Sequence, residues 1–150
     1  MGRWGRCYAG GVVGGLAAAE LETLRRYGHL LGMAFQIADD VLDYIATSAE
    51  VGKPVGADLR QGTVTLPLML ALHDDATAPA LHAILDQREL SDEDYESVVR
   101  IVRDSSAITA AEHHAQDFAA RAAAELDHFP DTPARTALTR MCDYVVARRI

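Results

Sequence analysis

Cysteine is scarce in this chain. The two present, Cys7 and Cys142, lie far apart and form no Cys-x-x-C. That excludes a disulfide framework and fits a reducing, cytoplasmic setting. Aromatic residues make up only 6% of the sequence. No stretch of any length alternates with the period of two that a half-buried strand needs, so an all-α fold is expected. No run reaches the roughly 18 apolar residues of a membrane span. Positive charge is also short: 14 Lys and Arg against 22 Asp and Glu leave a formal net charge of −8. A nucleic-acid partner would want a basic face, so none is expected. Arg3, Arg6 and the Ala17-Ala18-Ala19 run superficially imitate a signal peptide. Gly10, Gly11, Gly14 and Gly15 make a poor apolar region for one, and secretion is not expected. No Ser-His-Asp or Cys-His arrangement offers a covalent nucleophile.

What remains is a globular composition, 150 residues with 49% hydrophobic and 24% charged, enough for one domain, residues 1–150, with a real core. Periodicity and capping residues predict a short helix over 7–16, a long one over 18–47, a loop over 48–62, and a helix started by Thr65 and Pro67. The buried face of that last helix is expected to hold Leu66, Leu68, Met69, Leu70 and Leu72. A short helix follows over 79–87. Ser91 is a good N-cap for a helix running to Asp104, with Asp92, Glu93 and Asp94 set favourably against its dipole. Ser106 is expected to cap the next helix, with Ile108, Ala111, Ala115, Phe118, Ala122 and Leu126 inward. Pro130 and Pro133 end it, and 134–148 forms the last helix, with Leu138, Met141 and Val145 inward.

The long helix carries the chemistry. At about 100° per residue, Gln36, Asp39, Asp40 and Asp43 share one face. Gly28 and Gly32 continue that face and let another helix or a ligand come close. The rest of the helix is apolar nearly all round, which predicts burial. Carboxylates in such a setting are costly unless a cation pairs with them. With no Cys or His on the face, a hard oxygen-loving ion such as Mg²⁺ suits it better than zinc. The loop after it brings Lys53, Pro54, Gly56 and Asp58, a composition suited to phosphates.

The stretches F-Q-I-A-D-D-V-L-D (35–43) and G-K-P-V-G-A-D-L-R-Q-G-T-V-T-L-P (52–67) resemble the second aspartate-rich region of the trans-polyprenyl diphosphate synthases. The R-Y-G-x-x-L-G-M-A-F-Q lead-in (26–36) and the closing segment 133–148 extend the resemblance to the C-terminal half of such an enzyme, a partial isoprenoid-synthase helical bundle. The resemblance implies that Asp39 and Asp43 bracket Mg²⁺ bound to an allylic prenyl diphosphate, with Asp40 in support. Gln36 would hydrogen-bond the same network, and Lys53 would clamp the diphosphate. Phe35 and Asp58 would support the site, Asp58 by ordering the loop or holding a metal-bound water. For Arg60, a surface role stands beside a role at the ligand.

The chain departs from the family pattern in several places. It carries no second D-D-x-x-D, since Asp74-Asp75 is followed by Ala-Thr-Ala, and the lysine expected before the motif helix is absent. Thr63 stands where the family usually has a second loop lysine. The implied function is therefore a prenyltransferase fragment, which condenses an allylic diphosphate with isopentenyl diphosphate when complete and is inactive alone. A non-catalytic subunit, pairing as a homo- or hetero-oligomer with a prenyl synthase chain, is the alternative. A third reading rests on His73-Asp74, which imitates a metal-dependent phosphohydrolase pair but has no histidines at matching spacing. Arg148 and Arg149 either touch diphosphate or serve as favourable charges at a helix end.

Overall fold

The structure is a computed structural model that describes residues 5–45 and 56–147. Every regular element among the described residues is helical. In chain order these are α1 (Gly5–Val13), α2 (Ala18–Ile45), α3 (Ala57–Arg60), α4 (Leu66–Leu72), α5 (Ala78–Leu85), α6 (Asp92–Arg103) and α7 (Ala107–Glu125). A 3-10 turn (Leu126–His128) and α8 (Pro133–Ala147) complete the chain. The chain divides into two compact units. The first holds the described residues up to Gln36 and those from His114 onward; the second holds Ile37–His113.

In the first unit, a core forms from Leu24, Tyr27 and Ala34 of α2, Ala119 and Ala122 of α7, Leu126, and Cys142 and Val145 of α8. Ala115 is buried on the same helix as Ala119 and Ala122, so α7 presents a seam of very small side chains. Tyr27 is fully buried. Its hydroxyl donates to the Leu138 carbonyl at 2.9 Å, which removes the cost of an unmade hydrogen bond. The Cys142 thiol is directed at the same carbonyl, 3.7 Å away. Arg26 joins α2 to α7 by donating to Glu125 at 3.0 Å.

The second unit is built differently. The α4, α5 and α6 helices pack on one another around Leu68, Ala71, Leu81, Val98 and Val102. The α6 helix begins as its sequence demands. The Ser91 hydroxyl accepts from the Asp94 amide at 3.2 Å, and Asp94 accepts from the Ser91 amide at 2.9 Å. This reciprocal capping satisfies two otherwise orphaned donors. Arg100 and Arg103 close the other end, opposite in charge to its first turn.

Several expectations need correction. The α1 helix ends at Val13 rather than residue 16, because Gly15 turns left-handed at φ 72° while the Leu16 amide bonds back to Gly11. The expected 48–62 loop contains the short helix α3. Its first two amides are capped by Asp43, a group well before it in the chain. Met69 and Met141, both expected inward, are about half exposed. On α8, Val145 is buried as expected and Leu138 packs on the core, but Cys142 takes the place expected of Met141. Ser106 stands at the start of α7, but its hydroxyl donates to Asp74 at 3.1 Å. The Ala107 amide bonds the Ser105 hydroxyl instead.

Candidate diphosphate and metal site

Asp39, Asp40 and Asp43 lie on the stretch of α2 that belongs to the second unit. Asp39 is exposed, Asp40 buried and Asp43 half-buried. Asp43 does the most visible work. Its carbonyl accepts the Gly56 amide at 3.0 Å. Its carboxylate accepts the Ala57 amide on one oxygen, at 3.2 Å, and the Asp58 amide on the other, at 3.1 Å. The chain is thus tied back to the acid helix immediately where α3 begins. Burial pushes the Asp43 carboxyl above the usual carboxylate range, and the charge of Asp58 adds to the push against the two amide donors.

The tie is suited to glycine at position 56. That residue is left-handed, φ 75°, and a Cβ there would fall 2.5 Å from Val99 Cγ2. A non-glycine residue would meet both the left-handed strain and the clash. Asp58 orders the loop through its backbone. Besides giving its amide to Asp43, it accepts at its carbonyl from Gln61 at 3.1 Å and Thr63 at 2.9 Å.

Next to Asp43 in sequence, Tyr44 is fully buried. Its hydroxyl accepts from Thr65 at 3.3 Å. Thr65 is the N-cap residue of α4, yet its hydroxyl serves Tyr44 rather than the helix amides. Burial raises the Tyr44 pKa, and the negative charges of Asp43, Asp58 and Asp40 raise it further against the Thr65 bond. Partly desolvated negative charge is therefore concentrated around one point of the second unit.

That concentration suits a cation. Among the described residues no three His, Cys, Asp or Glu side chains form a ready-made metal cluster. Mg²⁺ does not require one: it keeps several waters and is usually held by one or two carboxylates plus substrate phosphates. The all-oxygen donor set of Asp39, Asp40 and Asp43 fits such an ion as a partial set. Phe35 packs against the first unit's core. Gln36 is exposed, at the end of that unit's part of α2. Lys53, Arg148 and Arg149 lie outside the described residues.

Arg60 is the residue that sequence reasoning left undecided. Its Nη1 donates to Asp92, and its guanidinium stacks over the Tyr95 ring, 4.7 Å from the centroid. Its Nε is buried without a partner, a situation that costs about 1–3 kcal/mol. A stacked cation returns about 0.5–2 kcal/mol, and the ion pair to Asp92, whose side chain is 84% exposed, adds little. No local pattern signals this contact, which joins residues 32 positions apart. His73 and Asp74, the phosphohydrolase-like pair, are engaged in separate hydrogen bonds. His73 Nδ1 lies 2.7 Å from the Met69 carbonyl. Asp74 accepts from the Ala76 amide and the Ser106 hydroxyl.

With the geometry in place, comparison with known proteins decides the family. The profile of the polyprenyl synthetase family matches residues 5–102. The chain belongs to the polyprenyl synthetase family. Within it, the chain is 37% identical over 140 residues to nonaprenyl diphosphate synthase of Mycobacterium tuberculosis, covering 93% of this chain and 42% of that protein. It is 33% identical over 143 residues to heptaprenyl diphosphate synthase component 2 of Bacillus subtilis, covering 95% and 40%. A solved polyprenyl synthase from Caulobacter crescentus, complexed with calcium and isoprenyl diphosphate, superposes with a TM-score of 0.83. Its identity is 38%, with 95% of this chain and 44% of that one covered. The chain therefore spans less than half the length of these polyprenyl synthetases. The all-α, isoprenoid-synthase-type fold expected from the sequence is the fold observed. No helix among the described residues is long and apolar enough to cross a membrane.

Proposed function

We propose that these 150 residues act as a single domain that binds the metal–diphosphate end of an allylic prenyl diphosphate, as part of a trans-polyprenyl diphosphate synthase. The complete activity is prenyl transfer to isopentenyl diphosphate in isoprenoid biosynthesis, in the cytoplasm. One observation carries the reading. In a member of this family, Asp39, Asp40 and Asp43 stand on one helix with the returning chain hydrogen-bonded to the last of them.

In this reading Asp39 and Asp43, one turn apart on α2, bracket Mg²⁺, with Asp40 beside them and Gln36 one turn earlier. When bound, the ion supplies Lewis-acid stabilisation of the charge on a departing diphosphate. Lys53 sets a fixed positive charge against the phosphate oxygens. Asp58 and Phe35 hold the surroundings in place. No residue of the chain needs to act as a nucleophile.

These 150 residues hold one aspartate-rich motif, and transfer calls for the other motif as well. The relatives named as component 2 of a heptaprenyl synthase support a hetero-oligomer, in which this chain is one subunit of an assembly. Two cysteines, both free, suit a reducing compartment.

The test is thermal unfolding with and without inorganic diphosphate and Mg²⁺. Diphosphate is expected to raise the melting temperature only when Mg²⁺ is present, and Asp39→Ala and Asp43→Ala are expected to abolish the rise. Lys53 is the chain's one lysine, so amine-selective labelling of that position should fall under the same conditions. A rise that survives in both aspartate variants would refute the metal assignment.

A further inference from the structure

The turn from Gly56 to Arg60 is held from two directions. On one side the Asp43 carboxylate takes the amides of Ala57 and Asp58, at 3.2 and 3.1 Å. On the other, both ends of the turn rest on α6. Gly56 lies against Val99 so closely that an added Cβ would fall 2.5 Å from its Cγ2. Arg60 stacks on Tyr95, one helical turn earlier, at 4.7 Å and donates to Asp92. The Arg60 Nε is buried and unpartnered, which a merely solvated surface arginine would not be.

We propose that Arg60 is a positioning residue for the Asp43 carboxylate. Its stack on Tyr95 and its bond to Asp92 pin the far end of the turn to α6, which keeps the Ala57 and Asp58 amides aimed at Asp43. The acid helix and the α6 helix are thereby coupled through a turn of a few residues. The geometric part stands on these contacts alone; its consequence for ligand binding rests on the proposed function. The planar guanidinium matters here. Lysine keeps the charge but loses the stacking plane and the fixed fork of donors, whereas phenylalanine at Tyr95 keeps the aromatic face.

Amide hydrogen exchange in the full chain tests the geometry, and calorimetric titration with inorganic diphosphate in Mg²⁺ tests its consequence. Arg60→Ala is expected to speed exchange of the Ala57 and Asp58 amides at least tenfold while amides of α4 and α5 keep the parent's rates. Arg60→Lys should restore protection only in part, and Tyr95→Phe should match the parent. Affinity for diphosphate with Mg²⁺ should fall about tenfold in Arg60→Ala. Unchanged exchange at Ala57 and Asp58 overturns the proposal, as does equal acceleration through α4 and α5, which would mark general loosening. Faster exchange with unchanged affinity overturns the role at the site and leaves Arg60 a folding contact. A parent chain that binds no diphosphate overturns the proposed function instead, and the exchange result then decides the positioning role by itself.

Discussion

Tyr27 and Tyr44 ride on the same helix and are equally sealed from solvent, yet their hydroxyls meet different surroundings. Tyr27, in the first unit, donates to a backbone carbonyl with two neutral thiols near it. Burial is the largest reason its pKa is raised. Tyr44, in the second unit, accepts from a threonine while three carboxylates bear on it. Burial is the largest cause here too; the neighbours that add to it are cysteines at Tyr27 and carboxylates at Tyr44. The first environment is what a core needs: a polar atom satisfied and then forgotten. The second leaves an excess of negative charge that packing does not require. Both residues hold the fold, and Tyr44 does so beside the carboxylates of the proposed site.

The largest expected effect tests how far the likeness goes. Tyr27→Ala and Tyr44→Ala should each cost about 3–5 kcal/mol in denaturant unfolding, because both delete a fully buried ring. A cost near zero at Tyr44 would mean that the second unit is loosely packed there, and the comparison would collapse.

Gly56→Ala belongs to the second unit alone. Left-handed strain and the collision with Val99 together should destabilise it by about 2–4 kcal/mol. Hydrogen exchange should register the loss in α3 and α6 and spare Tyr27's neighbours in α8. Uniform loss across both units would show that they do not unfold separately.

Two half-buried acids near the surface should give the smallest effect, and one that the two units share. Glu22 is held below the usual carboxylate range by its hydrogen bond to Arg25, and Asp94 by its bonds to Ser91. A depressed folded pKa contributes stability above the unfolded value, about 3.9–4.3 for these acids. That stability is lost as pH falls through the folded value. Both contributions should fade together below about pH 4 in melting curves, with Glu22→Gln and Asp94→Asn each flattening part of the slope. A decline that neither substitution touches would assign it to other acids.

Most helix limits could be read locally because their causes are local. Ser91 and Asp94 announce a cap three residues apart, and Pro67 marks a first turn. The helix that carries Asp39, Asp40 and Asp43 was legible for the same reason. The features that escaped depend on distant partners. The α3 helix exists where Asp43 caps it, and Arg60 finds Tyr95 and Asp92 only after the chain has folded. Met141 shows a third kind of difficulty. The α8 helix carries two apolar stripes, and only packing chooses between them; Cys142 and Val145 are covered while Met141 and Tyr144 are left half exposed or more.

The alanine seam of α7 bears on how this chain can change over time. Ala115, Ala119 and Ala122 are already nearly the smallest side chains available. Drift at these positions has almost no room downward except to glycine, which weakens a helix interior by about 1 kcal/mol. Upward drift adds methyl groups to a closed space and strains it by roughly 1–3 kcal/mol. Selection along this seam should therefore act first as a ceiling on volume, so that even an apolar residue as modest as valine is rejected.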